Sequence, residues 1–210
     1  MNEKQSERIP AAERREQILA AASLVFGERG YFGATTDQIA KAAGISQPYV
    51  VRMFGTKESL FVEVLARASG KLLDTFSAVI QEWKATVGSP DRELGRRLGS
   101  AYVNLVEDRG ILLSLMQAFS MGHDAVIGER ARTDFLKIYR MLRDEAGFAP
   151  EEVRTFLAEG MLLNTLLGLR LPERYGADEA TTELLECTFQ TKLQLVLDVV
   201  GDQVAAPSPA

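Results

Sequence analysis

Residues 35–57 read TTDQIAKAAGISQPYVVRMFGTK, and this stretch decides the fold of the N-terminal part of the chain. Thr35 and Gln38 have the spacing of a capping box, in which each side chain accepts a hydrogen bond from the other residue's backbone N–H at a helix start. Gly44 tolerates the positive φ of a tight turn, and Pro48 fits the first turn of a helix, where no N–H partner is lost. The stretch therefore predicts two short helices joined by a tight turn.

The same stretch has the small core that a helix-turn-helix needs. Ala40 gives the first helix a small residue where the second helix must cross it closely. Ser46 is expected to cap the second helix, and Thr56 the next one, which starts at Lys57. The inward positions are apolar: Ile39, Ala43, Ile45, Val50 and Met53. Together these features predict a helix-turn-helix over residues 36–52; the alternative is two ordinary short helices with a glycine between them.

The rest of the chain has helical periodicity and no alternating strand pattern of useful length. A first helix is predicted over 11–28, with Gly30 as its stop. A long helix over 57–86 is predicted from one apolar stripe: Phe61, Leu65, Ala68, Leu72, Phe76, Val79 and Trp83. Ser89 and Pro90 mark another helix start, and Asp124 is expected to cap a later helix. The last helix has its apolar residues in one register: Leu185, Phe189, Leu193, Val196 and Val200. The predicted fold class is all-α, with about nine helices.

The composition indicates a globular chain without disulfides, metal or membrane segment. The chain has 210 residues, 46% of them hydrophobic, with one His and one Cys, Cys187. These leave no metal-ligand cluster and no His–Cys nucleophile pair, and no glycine-rich phosphate loop is present, so no cofactor is expected and an enzyme is disfavoured. Residues 1–10 lack the apolar core of a signal peptide, and the apolar stretch 160–171 is shorter than the roughly 20 residues that span a bilayer. A cytoplasmic protein is expected.

Charge is unevenly distributed along the chain. The total is −5, but residues 1–57 hold eight Lys or Arg and six Asp or Glu, a net charge of +2, which leaves −7 for the remainder. A mildly basic head on an acidic body is expected where only the head meets phosphate. A difference of this size also arises by chance.

A longer run around the helix-turn-helix resembles the TetR family of transcriptional regulators. The resemblance covers residues 14–62 and is carried by Arg15-Glu16-Gln17-Ile18-Leu19-Ala20-Ala21-Ala22, Phe26, Glu28, Gly30-Tyr31, Thr35, Ile39-Ala40, Ala43-Gly44-Ile45-Ser46, Phe54, Lys57-Glu58 and Leu60-Phe61. It implies nine helices, a dimer built on helices 8 and 9, a ligand pocket among helices 4 to 8, and repression that a ligand relieves. The expected domains are a three-helix helix-turn-helix domain at 1–56 and a helical ligand-binding and dimerisation domain at 57–201. The Ala- and Pro-containing tail at 202–210 is expected to be disordered.

Two positions depart from the pattern of that family. Many members carry a phosphate-contacting Tyr where this chain has Val51, and an aromatic residue or His where it has Met53. Tyr49, in the first turn of the recognition helix, is expected to take over part of the missing phosphate contact.

The recognition helix is expected to lie in the major groove with its N-terminal residues at base edges. Gln47 suits adenine, Tyr49 a thymine methyl or a phosphate, and Arg52 a phosphate or guanine. Helix starts at Thr35 or Thr36 and at Lys57 are expected to hold phosphates. The DNA-binding candidates are thus Thr35, Thr36, Gln47, Pro48, Tyr49, Arg52 and Lys57; for each of them the alternative is a solvated surface position. The expected partner is double-stranded DNA with a palindromic operator.

The eighth predicted helix, over residues 151–170, is apolar nearly all round, which requires burial on more than one side. Gly160 and Gly168 in it indicate close helix approach. A homodimer is therefore expected, and the alternative is a central helix in a monomeric bundle. The interface candidates are Phe156, Met161, Leu167, Leu185, Phe189 and Val196.

Apolar and aromatic side chains of the C-terminal domain are candidates for a ligand pocket: Phe76, Trp83, Tyr102, Met116, Phe119, Phe135, Tyr139 and, as a polar contact, Asn164. For each, the alternative is plain core packing. No acidic pair is obvious on an apolar face, which favours a neutral or weakly polar hydrophobic ligand. His123, beside Asp124, is expected at the surface or at a helix cap.

The sequence thus predicts a repressor that a small hydrophobic effector releases from a palindromic operator. The long helix at 57–86 is expected to act as a lever, with Lys57 at its DNA end and Trp83 in the pocket. The alternative is a ligand-binding or protein-interaction module that keeps this fold without operator binding.

Overall fold

The structure is a computed structural model that describes residues 10–86, 92–108 and 110–205. Over these residues every regular element is helical, in agreement with the predicted all-α class. There are ten α-helices in the described ranges: α1 Ala11–Gly33, α2 Thr36–Ala42, α3 Gln47–Phe54, α4 Lys57–Thr86, α5 Arg92–Asn104, α6 Ile111–Ser120, α7 Ile127–Arg140, α8 Pro150–Gly168, α9 Glu179–Phe189 and α10 Leu193–Ala205. The expected helix start at Ser89 and Pro90 lies outside the described residues.

The N-terminal part is a three-helix unit closed by the start of α4. Its core combines one face of α1 with the inward residues of the helix-turn-helix and four residues of α4: Ile18, Ala22, Phe26, Ile39, Ala40, Val50, Leu60, Phe61, Val64 and Leu65, none of them more than 2% exposed. Phe26 and Phe61 meet edge to face, with ring centroids 4.7 Å apart. Gly30, the expected stop of α1, has a φ of +74° and kinks the helix, which then continues to Gly33.

The long helix α4 belongs to two hydrophobic cores at once. Its 30 residues make a rod about 45 Å long, at 1.5 Å per residue. Residues up to Leu65 pack in the N-terminal core, whereas those from Ala68 to Trp83 belong to the second core, where α4 packs against α5, α6 and α7 and Phe76 meets Phe156 of α8. The boundary predicted between residues 56 and 57 coincides with the start of α4, and α4 itself contributes residues to both cores.

The predicted ninth helix is interrupted. The backbone of Gln190 is left-handed, with a φ of +48°, and a 3₁₀ turn over Gln190–Lys192 separates α9 from α10. The apolar register continues across the turn, so its side chains still reach the same core. The tail was expected to be disordered from residue 202, but α10 extends to Ala205, so the first four residues of the tail are helical. Residues 206–210 lie outside the described ranges.

Two glycines allow α1 and α6 to approach without a gap. A Cβ on Gly110, whose φ is +85°, would lie 2.0 Å from the carbonyl oxygen of Ser23. A Cβ on Gly27 would lie 2.9 Å from the Cα of Gly110. The N-terminal unit is thus fixed against the start of α6 by backbone contact. Among the described residues, no helix is both long and apolar enough to cross a membrane.

Candidate functional site

The turn between α2 and α3 has the geometry that its sequence predicts. Thr35 Oγ1 accepts a hydrogen bond from the N–H of Gln38 at 3.2 Å, and the N–H of Thr35 donates to Gln38 Oε1 at 3.0 Å, so the capping box is confirmed. Gly44 has a φ of +65°, the left-handed conformation that glycine adopts without strain. Local sequence chemistry therefore sets the start of α2 and the turn.

The capping of the next two helices differs from expectation at one position. Ser46 is the N-cap residue of α3, but its side chain makes no capping hydrogen bond, so the predicted side-chain cap is wrong. Its carbonyl oxygen instead accepts the N–H of Tyr49 at 3.0 Å. Thr56 does cap α4, since its Oγ1 accepts the N–H of Ser59 at 3.0 Å.

The predicted DNA-contact residues of α2 and α3 lie side by side. Gln47 Nε2 donates to Thr36 Oγ1 at 3.2 Å and so joins the N-termini of the two helices. The guanidinium of Arg52 stacks over the ring of Tyr49, 4.8 Å from its centroid, and Tyr49 also packs against the N-terminal core. Pro48 is exposed beside them. Both helix starts and the outer face of α3 thus form one surface.

Lys57 lies at the edge of this surface and has contacts within the protein. Its Nζ donates to the carbonyl oxygens of Tyr31 at 3.0 Å and of Ala34 at 3.2 Å, and it lies 4.7 Å from the centroid of the Tyr31 ring. The side chain therefore ties the loop before α2 to the start of α4. The sequence predicted only a phosphate contact for Lys57. No local motif signals its contacts with the loop before α2. Burial raises the pKa of Tyr31, and the nearby carboxylates of Glu58 and Asp124 raise it further.

The C-terminal domain encloses a small apolar cavity of about 40 Å³. Five of the eight predicted pocket residues line it: Phe76, Tyr102, Phe119, Phe135 and Asn164. The other seven lining residues come mainly from α6 to α8: Leu72, Leu115, Ile138, Phe156, Leu157, Gly160 and Met161. A cavity of this size has room for only a few water molecules, so a larger molecule can enter only if the side chains around it move.

Three predicted pocket residues are absent from the cavity wall. Trp83 is 4% exposed in the core near the far end of α4, and the guanidinium of Arg97 lies 5.3 Å from its ring. Met116 and Tyr139 are half-buried elsewhere on α6 and α7. The expectation that the lever helix carries Trp83 into the pocket is therefore corrected, because Phe76 and Leu72 are the cavity residues of α4.

One polar pair faces this apolar cavity. The Tyr102 hydroxyl donates to Asn164 Oδ1 at 2.9 Å, and both side chains are buried. Burial raises the pKa of Tyr102 to about 12, although the hydrogen bond to Asn164 acts in the opposite direction, so the hydroxyl stays protonated at neutral pH. The lining residues include no charged side chain.

Three of the six predicted dimer residues point into the protomer. Leu185, Phe189 and Val196 are at most 3% exposed, because α9 and α10 turn these side chains towards α8 and α5. Phe156 and Met161 line the cavity, and Leu167 packs against the core. Phe156, Met161 and Leu167 nevertheless remain partly exposed on α8. The exposed apolar side chains on α8, α9 and the turn after α8 are instead Leu162, Leu169, Tyr175 and Leu184.

Ion pairs join α1, α4 and the turn after α5. Arg67 on α4 forms a two-bonded pair with Asp108, at 3.1 and 2.7 Å, and also contacts Glu16 on α1. Lys71 also donates to Asp108. Burial alone would raise the pKa of Asp108, but the hydrogen bonds from Arg67 and Lys71 outweigh it, and the pKa lies below its ordinary value.

Helix α6 touches both the cavity and α1. Leu115 and Phe119 line the cavity, while Gln117 Nε2 donates to the carbonyl oxygen of Phe26. His123 and Asp124 lie just after α6. His123 is exposed, as expected, and Asp124 Oδ1 accepts the N–H groups of Val126 and Ile127 at the start of α7. The described residues include no group of three or more potential metal ligands.

Comparisons with known proteins agree with this geometry. A sequence profile described as bacterial regulatory proteins of the tetR family matches residues 18–64. The chain is similar to the HTH-type transcriptional activator FasR of Mycolicibacterium smegmatis, with 38% identity over 100 residues, 48% of this chain and 43% of the relative. It is also similar to the HTH-type transcriptional repressor AcnR of Corynebacterium efficiens, with 30% identity over 80 residues, 37% of this chain and 43% of the relative. The chain thus spans less than half the length of these curated relatives.

Solved structures share the fold over nearly the whole chain. A TetR-like transcriptional regulator from a Rhodococcus species matches with a TM-score of 0.57 and 21% identity, covering 95% of this chain and 100% of that one. A transcriptional regulator from Pseudomonas aeruginosa matches with a TM-score of 0.55 and 16% identity, covering 98% and 97%.

Proposed function

Because this chain belongs to the TetR family of bacterial regulatory proteins, whose members bind DNA and are not enzymes, we propose that it is a ligand-responsive transcriptional regulator. It binds a palindromic operator as a homodimer in the cytoplasm and leaves it when a small apolar effector enters the C-terminal domain. The observation that carries this proposal is the helix-turn-helix over α2 and α3, whose N-termini are joined through Gln47 and Thr36.

The surface of α2 and α3 is suited to DNA. Thr35 and Thr36 stand at the start of α2, where unpaired N–H groups and the helix dipole favour a phosphate. Gln47 and Arg52 can reach base edges of the major groove from α3. Lys57 adds a positive charge at the start of α4. Its contacts with the loop before α2 leave the side chain charged, so they are compatible with a contact to phosphate.

The proposed release of the protein from its operator by an effector is the behaviour of a repressor. The names of its relatives include both a repressor and an activator, so family membership leaves the direction of regulation open. The cavity favours release, since it is too small for a ligand unless α6 to α8 move, and α6 packs directly on α1. An effector that opens the cavity therefore displaces α6, the helix on which α1 of the N-terminal unit packs.

The effector is an uncharged, mainly apolar molecule with one hydrogen-bonding group. A buried carboxylate or ammonium without a charged partner is strongly disfavoured, and the lining residues offer none. Tyr102 and Asn164 supply the only polar side chains among them, and both remain neutral. We place the single polar group of the effector at this pair.

The dimer is built on the exposed faces of α8 and α9 rather than on the residues that the sequence favoured. Leu162, Leu169 and Leu184 are 42%, 66% and 39% exposed, and large apolar side chains left exposed on two helices that contact each other are typical of a protein interface. To bind a palindromic operator, this dimer has to present its two α3 helices to successive major grooves, about 34–36 Å apart.

Selection from a pool of random DNA duplexes with the full chain tests this function. Repeated binding and amplification should enrich a palindrome whose half-sites lie one helical turn apart, and footprinting should show both half-sites protected. The variant Gln47→Ala should enrich a different sequence. Enrichment of no sequence would overturn operator binding and favour the alternative, a ligand-binding or protein-interaction module.

A further inference from the structure

The outer face of the recognition helix is less polar than a DNA-reading surface usually is. The exposed side chains of α3 are Pro48, Val51 and Arg52, while Val50 and Phe54 are buried. Pro48 and Val51 are three residues apart and therefore lie on the same face of the helix. The result is a short apolar strip with one cation beside it.

The polar side chains of α3 are partly engaged within the protein. The Gln47 amide donates to Thr36, and the Tyr49 ring packs on the core beneath the Arg52 guanidinium. Val51, at 40% exposure, is one of the large apolar side chains that the structure leaves exposed among the described residues. It projects from the face that the proposed function places against base edges.

An apolar side chain in the major groove has one specific partner. The C5-methyl of thymine is the apolar group that a base pair displays there, and it distinguishes thymine from the other bases. A β-branched side chain has few rotamers, so Val presents its methyl groups with little loss of conformational entropy.

We propose that Val51, with Pro48 beside it, reads the C5-methyl of a thymine in each operator half-site. This inference rests on the proposed function and assigns a specificity role to a position where the family often has a phosphate-contacting Tyr. The strip accepts thymine and leaves the other three bases without an apolar contact.

The contact is tested by removing single methyl groups from the operator. In the operator obtained by selection, each thymine is replaced in turn by uracil, which lacks only the C5-methyl. Burial of one methyl group should contribute about fourfold in affinity per half-site, or about fifteenfold when both symmetric positions are changed. One thymine position in each half-site should show this loss with the wild-type protein.

The variant Val51→Ala completes the cycle. It should bind the native operator more weakly, and the same uracil substitution should now cost it less than about twofold, because the partner of the methyl is gone. Leu136→Ala, an exposed apolar residue on α7, is the matched control and should keep the full uracil penalty. Thermal unfolding of both variants checks that the fold is intact.

Three outcomes overturn the inference. In the first, no uracil position weakens the wild-type protein. In the second, Val51→Ala keeps the full penalty. In both, the operator is still bound, so the proposed function survives. In the third, selection yields no operator, and both the proposed function and the inference fail.

Discussion

Gln117 on α6 donates a hydrogen bond from Nε2 to the carbonyl oxygen of Phe26 on α1, while its own Oε1 is buried without a hydrogen-bond partner. An unsatisfied buried oxygen costs about 1–3 kcal/mol, which offsets the roughly 1 kcal/mol that the bond contributes. The side chain is therefore retained at little net benefit to stability. Along α6, Gln117 lies between Leu115 and Phe119, which both line the cavity. Its hydrogen bond to Phe26 joins α6 to the DNA-binding unit, so Gln117 can transmit movement of α6 to that unit.

The variant Gln117→Leu separates stability from coupling. It removes both the bond to Phe26 and the unsatisfied oxygen, so urea denaturation should give a free energy of unfolding within about 1 kcal/mol of the wild type. The loss of operator affinity that an effector causes should nevertheless shrink. Gln81→Leu, at an exposed position of α4, is the control and should leave that loss unchanged. An undiminished effect in Gln117→Leu would exclude this residue from the coupling.

Gly110 and Gly176 form a matched pair for the contact between α1 and α6. Both have positive φ, +85° and +77°, so an added Cβ strains the backbone at either by about 1–2 kcal/mol. Only at Gly110 does the Cβ also meet the carbonyl of Ser23, at 2.0 Å; at Gly176 nothing lies within 4 Å. Gly110→Ala should therefore lower the free energy of unfolding by more than about 3 kcal/mol, and Gly176→Ala by about 1–2 kcal/mol. Urea titrations with equal losses would refute the close contact.

Lys57 should affect both stability and DNA binding. Lys57→Met keeps the aliphatic stem but loses the bonds to Tyr31 and Ala34, and charged hydrogen bonds of this kind contribute about 1.5–3 kcal/mol each, less where solvent reaches them. We expect a loss of about 2 kcal/mol in the free energy of unfolding. Affinity should fall alike on all DNA sequences, and the salt slope should flatten by up to about one unit per half-site.

Lys41→Met is the control for Lys57→Met. Lys41 is exposed and pairs with Asp37, one helical turn away, so the free energy of unfolding should stay within about 0.5 kcal/mol of the wild type. An unchanged stability of Lys57→Met would contradict the role of Lys57 in fixing the loop before α2.

The exposed leucines of α8 and α9 should control dimerisation. Leu162→Glu and Leu184→Glu each place a charge where an apolar side chain would be buried, and two-fold symmetry doubles the effect. A loss of about 1.5 kcal/mol per leucine, taken twice, raises the dimer Kd at least about 100-fold. Sedimentation at low micromolar concentration should show monomers, whereas Leu136→Glu on α7 should stay dimeric. A wild-type protein that sediments as a monomer would contradict the dimer altogether.

The parts of the fold that short sequence signals specify were predictable. The capping box of Thr35 and Gln38, the turn at Gly44 and the caps at Thr56 and Asp124 depend on residues within three positions of each other. The long helix α4 was predicted from its apolar stripe to the residue at both ends.

The direction in which an apolar residue faces was harder to predict. Helix α8 is apolar on most sides, so its pattern does not distinguish the core from a partner; Phe156 and Met161, which were predicted at the dimer interface, line the cavity. Leu185 and Val196 have a regular register that fits burial in one protomer as well as between two. The break at Gln190 was not predicted, because the apolar register of the last predicted helix continues through it.

The position of the cavity was also only partly predictable. Trp83 and Phe76 lie on the same stripe of α4, and both are buried. Only the three-dimensional arrangement of α6, α7 and α8 decides that Phe76 meets open space and Trp83 meets packed side chains. The tie between Lys57 and the loop before α2 joins residues 23 and 26 positions apart, beyond the reach of a local motif.

Effector and operator compete through the protein, and one titration tests this competition most directly. An effector is first identified by thermal shift among uncharged apolar compounds, and its Kd is then measured calorimetrically with the free protein and with the protein saturated by operator. Because coupling between binding sites is reciprocal, a coupling of about 1–3 kcal/mol predicts that the effector binds about 5- to 150-fold more weakly when operator is present. Identical effector affinities in the two titrations would contradict the account.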